Sequence, residues 1–452
     1  MAASANGRQG EALETLYRSG KLTALSAPLI ACPHCATIQL MPPAPKRGRI
    51  ACMRCADVLE RTSGRSVRGT LACALTTLVL LVPANTMTLL TVHAPAGLVS
   101  SIHLASGVHT VWSQGWPLMA LVCALEGIIL PFVRFTLLSA VLTAVRLNRH
   151  YGWMGPTFRY AELLDAWAMA DVLLLGATIG WGRVEALIPV HIDAGGWCLV
   201  GAGFMTMLTR ACLDKRAVWR RIAAPRIDAG TDRIGCTTCD LVLPARLVGG
   251  RCPRCKARLH RRKPRAMLHC RALVIAGWAL FPISNFFPMS AYYEFGVPHP
   301  HTIFAGIMLL FDNGYAPLGV LIFLTSIGIP VFKLAGLTWF MNSIRHRSAW
   351  RLKLKTRVFR VVHAVGRWSN LDPFTVLVFT PMVQYGQIAH IEVHGGSPAF
   401  LAVVVISMIA ARSFDPRLMW DAAGRGRRAG QTVEAAPPPT RFRRRVGGLF
   451  TA

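Results

Sequence analysis

Cys32-Pro33-His34-Cys35 and, sixteen residues on, Cys52-Met53-Arg54-Cys55 precede a long apolar run that opens at Leu71. The arrangement returns as Cys236-Thr237-Thr238-Cys239, twelve residues, Cys252-Pro253-Arg254-Cys255, with a second apolar run from Arg271. A Cys-x2-Cys knuckle turns the chain so that two thiolates face one point, and two knuckles complete a four-sulfur metal site. Gly48, Gly235 and Gly249-Gly250 are the expected turn formers around them. The same Cys-x2-Cys spacing serves thiol redox chemistry, which needs a βαβ context that is not visible here. Pairing of the knuckles and their repetition favour metal. Four thiolates leave no open coordination position, so the expected cofactor is structural zinc at two sites, with iron as the alternative. Cys73, Cys123, Cys198, Cys212 and Cys270 lie in or beside apolar runs and read as packing residues.

Of the 452 residues, 53% are hydrophobic and only 16% charged, with a mean hydropathy of +0.41. The charges stand in blocks between apolar runs, as in a polytopic membrane protein. The excess of 50 basic over 21 acidic residues is therefore read as membrane topology and headgroup contact, not nucleic-acid binding. Eight spans are expected: Leu71–Val92, Pro117–Val145, Leu163–Trp181, Gly195–Leu213, Arg271–Ser290, Ala316–Met341, Leu371–Tyr385 and Pro398–Ala411. Loops alternate between basic and nearly free of Lys and Arg, with Arg183 alone after the third span, which places both termini and both cysteine sets in the cytoplasm. Disulfides between those cysteines are disfavoured there. The mixed, polar first thirty residues do not read as a signal peptide.

The halves repeat at an offset of about 200 residues, in parallel topology. Pro83-Ala84-Asn85 answers to Pro282-Ile283-Ser284-Asn285, Trp167 and Asp171 to Trp368 and Asp372, and Asp214–Trp219 to Asp415–Trp420. Matching His109-Thr110-Val111-Trp112 to His301-Thr302-Ile303-Phe304 leaves eight extra residues in the second copy, around Gly306-Ile307-Met308-Leu309-Leu310. The expected fold is an all-α polytopic membrane protein with two tandem four-helix units, each preceded by a small cytoplasmic zinc ribbon. The boundaries are 1–65 for the N-terminal segment and first ribbon, 66–220 for the first unit, 221–265 for the second ribbon and 266–420 for the second unit. Residues 421–452 read as a disordered basic tail.

Polar groups inside spans are costly and mark function by default. Glu126 and Arg134 sit eight apart on one helix, close enough in phase to approach each other; Lys333 stands at the position equivalent to Arg134, with snorkelling as the alternative. Asp372-Pro373 has the pattern of an N-cap followed by N1 proline. Asp171 lacks that pattern and is a candidate for proton handling. Asn85 and Asn285 follow a proline and are expected to re-satisfy backbone where a helix is broken, lining a polar path. From Arg345 to Trp368, basic and apolar residues interleave, as in an interfacial helix or an extension of the seventh span.

With these residues in view, the chain resembles the paraquat-inducible protein A family. The resemblance rests on the doubled four-cysteine ribbons, the Pro-x-x-Asn-type motif after each, His301-Thr302-Ile303-Phe304-Ala305-Gly306 and Ser413-Phe414-Asp415-Pro416-Arg417. It implies an inner-membrane partner of periplasmic MCE-domain tunnel proteins, loading or receiving phospholipid, and no enzyme. The contrasting readings are a membrane thiol oxidoreductase and a proton-coupled small-solute transporter. No P-loop is present; proton coupling through Glu126, Asp171 or Asp372 is the expected source of energy.

Overall fold

The computed structural model describes residues 29–40, 48–62, 67–93, 99–185, 189–222, 232–294, 296–312, 314, 316–385, 389–424 and 434–435. Of the expected basic tail, only the segment to Gly424 and Glu434–Ala435, which pairs with the first ribbon, is among them. The first unit comprises α1 (Val67–Thr86), α2 (Leu104–Ser113), α3 (Pro117–Arg146), α4 (Met154–Leu164), α5 (Ala170–Glu185), α6 (Ala194–Cys212) and α7 (Lys215–Arg221). The second repeats that order as α8 (Ala266–Phe286), α9 (Ile303–Asp312), α10 (Ala316–Arg345), α11 (Leu352–Val365), α12 (Leu371–Met382), α13 (Gly396–Ser413) and α14 (Arg417–Ala422).

Among the described residues, α1, α3, α8, α10 and α13 are long and apolar enough to cross a membrane. A sixth is added if α6 and α7, bent by 65°, count as one span. The expected third and seventh spans are shorter. Helix α5 begins at Ala170, after a break that separates it from α4, and α12 ends at Met382. A twelve-residue helix such as α12 covers about 18 Å, against a hydrocarbon thickness of about 30 Å. These two short helices pack on each other and join the units: a Cβ added at Gly176 of α5 would lie 2.9 Å from the Cβ of Phe374. The basic segment before α12 is its extension, as α11 passes through a 3-10 turn at Gly366–Asn370 directly into it.

The fold is not all-α. Away from the ribbons, each unit carries a three-stranded antiparallel sheet: β5 (Leu90–His93) between β6 (Val99–Ile102) and β7 (Val190–Ile192), and β10 (Ser290–Glu294) between β11 (Val297–His301) and β12 (Ala389–Val393). Leu90 and Val92 are buried and alternate with Thr91 and His93, the period of a strand with one covered face. The expected first and fifth spans therefore end early, at Thr86 and Phe286, because Leu90–Val92 and Ser290 belong to strands.

The sheets also correct the alignment of the repeats. Helices α2 and α9 each have ten residues, each follows its unit's hairpin, and each ends four residues before the next helix. Gly107 therefore answers to Gly306, and the second copy has no eight-residue insertion. The two glycines differ in surroundings. A Cβ at Gly107 would sit 2.1 Å from the backbone carbonyl oxygen of Leu377 on α12, whereas Gly306 has nothing within 4 Å. Helix α2 thus locks onto the opposite unit by a close backbone approach, and Gly306 makes no such contact.

The ribbons cross over. The first ribbon, β1 (Leu29–Ala31), β2 (Ile38–Leu40), β3 (Gly48–Ala51) and β4 (Val58–Thr62), shares its core with Phe340, Phe359, Phe414 and Trp420 of the second unit. The second ribbon, with β8 (Arg233–Gly235) and β9 (Val242–Pro244), shares its core with Met154, Phe158 and Trp219 of the first. Phe158 and Trp219 are the repeat equivalents of Phe359 and Trp420. The expected pairing of each ribbon with the unit that follows it is therefore wrong in space: each supports the other unit.

We expect Gly107→Ala to lower stability by about 1–3 kcal/mol through overpacking, with Gly306→Ala neutral or stabilising. Thermal unfolding of the purified protein in detergent checks the contrast.

Candidate metal centres and the buried polar layer

Each knuckle is built alike. The amide of Cys32 donates to the carbonyl of Thr37 at 2.9 Å, and that of Cys52 to Asp57 at 2.7 Å. The amides of Cys236 and Cys252 donate in the same way to Leu241 and Ala257. The residue after the second cysteine takes left-handed φ: Ala36 (60°), Ala56 (58°), Asp240 (56°) and Lys256 (57°). None of these is glycine, and each side chain there costs energy that convergence of the thiols must offset; of the expected glycine turns, Gly249 (φ 89°) makes one before the second knuckle of its ribbon.

The sulfurs stand at 3.5 Å for Cys32–Cys55 and Cys35–Cys52, and at 3.6 and 3.7 Å for Cys236–Cys255 and Cys239–Cys252. All four in each set lie within 4.8 Å of one another. A disulfide needs about 2.05 Å, whereas sulfurs at the corners of a tetrahedron around zinc are roughly 3.8 Å apart. The two clusters can each hold a metal ion, and all eight cysteines are buried. Burial also pushes the His34 imidazole below its ordinary value. Beside it Asp57 faces both His34 (3.3 Å) and Arg360 of α11 (2.6 Å), tying the first ribbon to the second unit. In the second ribbon, burial pushes the Asp240 carboxyl up to about 6 despite Arg216 at 3.0 Å.

The break between α4 and α5 leaves backbone carbonyls without helical partners. Arg210 of α6 answers them: it donates to the carbonyls of Asp165 and Ala168, each at 2.9 Å, to the Asp165 carboxylate at 2.9 Å, and to the Asp171 carboxylate. Arg134, nearly fully buried, reaches Asp165 at 2.6 Å. The amide of Met169 donates at 3.0 Å to the carbonyl of Glu126, which lies in a π-bulge at Leu125–Ile129. Sequence reasoning missed Arg210, Asp165 and Asn370. An arginine late in an apolar helix, one turn from its basic end, gives no signal that it turns inward.

The expected Glu126–Arg134 approach does not occur. Glu126 instead accepts from Asn370 at 2.5 Å, across the unit boundary. Asn370 is the cap residue of α12, so Asp372 is its second helical residue and not the cap. A matching π-bulge at Leu324–Gly328 puts Thr325 where the first unit has Glu126. Lys333 does not snorkel. It is fully buried and donates to Ser369 Oγ at 2.9 Å and, more weakly, to the carbonyl of Gly366 at 3.4 Å. Asn85 and Asn285 turn back onto the carbonyls of Leu81 (2.7 Å) and Phe281 (2.8 Å), four residues earlier on their own helices. The carbonyls that Pro83 and Pro282 deprive of a donor are those of Val79 and Trp278, so the amides do not re-satisfy the broken positions.

The geometry is that of a mostly helical, internally duplicated membrane protein with two buried tetrathiolate clusters. Comparison with known families matches residues 67–223 and 267–424 to Paraquat-inducible protein A; the chain belongs to this family. It is 27% identical over 409 residues to the Intermembrane transport protein PqiA of Escherichia coli, covering 87% of this chain and 95% of that one. It is 26% identical to the Lipophilic envelope-spanning tunnel protein A of the same organism, covering 86% and 91%. A Probable intermembrane transport protein of Haemophilus influenzae is 24% identical, over 88% and 97% of the two chains. No solved structure matches.

Two predictions follow from the geometry. Replacing Arg210 by leucine takes its cation from the buried Asp171 carboxylate, while Asp165 keeps Arg134, and is expected to cost about 3–5 kcal/mol, read by thermal unfolding. Cys32→Ser with Cys35→Ser is expected to halve the metal content measured by elemental analysis. Because the ribbons cross, hydrogen exchange should then accelerate first in α11 and α14 of the second unit, not in α4 and α7.

Proposed function

We propose that this protein is an integral inner-membrane component of an intermembrane lipid transport system, loading or receiving phospholipid for a periplasmic MCE-domain tunnel. The observation that carries the reading is near full-length similarity to relatives named for intermembrane transport and for an envelope-spanning tunnel. In this reading the chain crosses the membrane eight times, with α5 and α12 as the short central spans, both termini and the ribbons in the cytoplasm, and the sheets in the periplasm. Burial of all eight thiols supports zinc as a structural metal and speaks against thiol exchange with a substrate.

Energy enters, in this reading, by protonation within the buried layer. Asp171 is engaged by Arg210, whereas Glu126 meets a neutral amide and, among the described residues, no cation. Glu126 is thus the carboxylate best placed to change charge, and Asn370 would relay the change to the second unit. Lys333, Arg134, Asp372 and the two asparagines belong to the frame around that path.

Purification from a bacterial envelope in mild detergent should bring down an MCE-domain protein and bound phospholipid; recovery of the chain alone, with lipid exchange indifferent to any periplasmic partner, would overturn the assignment. Glu126→Gln is expected to abolish the pH dependence of lipid transfer between reconstituted membranes while leaving metal content intact. A transfer rate that keeps its wild-type pH profile in this variant would sink the coupling role.

A further inference from the structure

We infer that the seam between the second ribbon and helix α4 is a binding site for the headgroup of an anionic phospholipid. Arg159 and Tyr160 of α4, with Pro156, and Arg251, Lys256 and Arg258 of the ribbon line one open groove of about 470 Å³. Among the described residues none of these four cations is paired with a carboxylate, unlike Arg216, which pairs with Asp240, Arg360, which pairs with Asp57, and Arg262, which pairs with Asp421. Arg159 instead lies over the ring of Tyr160 at 4.6 Å.

The arrangement carries a cost. Arg251 and Arg258 face each other across an antiparallel bridge, a position where like charges destabilise a hairpin. The duplicated scaffold supplies the comparison. The equivalent pair in the first ribbon, in the same register, is Ala51 and Val58, and Lys256 answers to Ala56. Arg360, the repeat equivalent of Arg159, is neutralised by Asp57. At these positions the first seam has Ala51, Ala56, Val58 and an arginine paired with Asp57, while the second gathers four cations with no carboxylate partner among the described residues. A phosphodiester anion supplies the missing charge.

Lipid is the source of that anion because the groove opens beside residues suited to a membrane surface. The turn before α4 exposes Leu147, Tyr151 and Trp153, the last two stacked at 5.7 Å, and α4 itself exposes Tyr160 and Leu163. Aromatic side chains with both polar and apolar parts settle at the headgroup level, next to acyl chains. Basic pockets at this depth, beside transmembrane helices, suit phosphate-bearing headgroups. The site rests on the proposed orientation only for which leaflet supplies the lipid; its test involves no lipid transfer, so it can fail without the transport reading failing, and the reverse.

The test uses the full-length protein in phosphatidylcholine nanodiscs doped with cardiolipin. Retained cardiolipin is counted by native mass spectrometry, and metal content is measured to verify the ribbon fold. Wild type should retain cardiolipin, and Arg159→Gln, which lies away from the cysteines, should weaken retention about fivefold. Adding Arg251→Gln and Arg258→Gln should weaken it by a similar factor for each cation. Arg345→Gln with Arg347→Gln, on the other unit, should leave it unchanged. Three outcomes would overturn the site: no retention by wild type, equal loss in the Arg345 and Arg347 control, or protection against unfolding by inorganic phosphate that matches protection by lipid.

Discussion

A largely buried cation, Arg210, holds the centre of this fold. Two short helices, α5 and α12, meet where the units join; α5 is entered through a break and α12 through a 3-10 turn. Broken backbone at that depth survives only if protein groups satisfy it. On one side Arg210 uses its planar fork to hold two carbonyls and two carboxylates together, a task for which a lysine's single ammonium has no geometry. Once the α4–α5 break is fixed, Met169 is positioned to bond Glu126, and Phe374 is positioned against Gly176. The contact between the units depends on those placements.

The crossed ribbons act on the same junction from outside. Each tetrathiolate cluster packs below the unit encoded in the other half of the chain. The linkers therefore run between units, and separation of the halves would expose both ribbon cores. A ribbon packed under its own unit would stabilise that unit alone. In the crossed arrangement, metal bound at either cluster would strengthen the pairing of the halves. On the opposite side, Gln114 and Trp116 of the first unit bond the edge strand β12 of the second, at 2.8 and 2.9 Å, so the junction is closed at both ends.

The cysteine clusters, the duplication and the long apolar helices were legible in the sequence, because cysteine spacing and hydropathy are local signals. The partners of the polar residues were not. Glu126 and Arg134 share a helix face, and helical phase suggested that they meet. Their actual partners, Asn370 and Asp165, come from segments 244 and about 30 residues away, brought near by breaks that leave no mark in composition. The small sheets were missed because strands of three to five residues fall below the reach of periodicity. The eight-residue insertion arose from matching His109 to His301, a two-residue likeness that outweighed the register of helices α2 and α9 until their ends could be seen.

Register restored, the copies differ chiefly in where they place charge. In the first unit Arg134 faces Asp165; in the second, Lys333 faces Gly366, which stands where Asp165 would be. The first unit has Glu126 in its π-bulge and the second Thr325 in the matching bulge. Carboxylates have thus been concentrated in the first unit while a buried ammonium remains in the second with only neutral acceptors among the described residues. Burying an unpaired charge is costlier than burying a pair, and a scaffold selected for stability alone would have no reason to keep Lys333 rather than a methionine of similar length. Asn370 lies between the two arrangements: its side chain bonds Glu126 of the first unit, and its backbone follows Ser369, the acceptor for Lys333. Any change of charge at one of these groups is therefore felt at the start of α12, the helix against which α2 is locked by the close approach at Gly107.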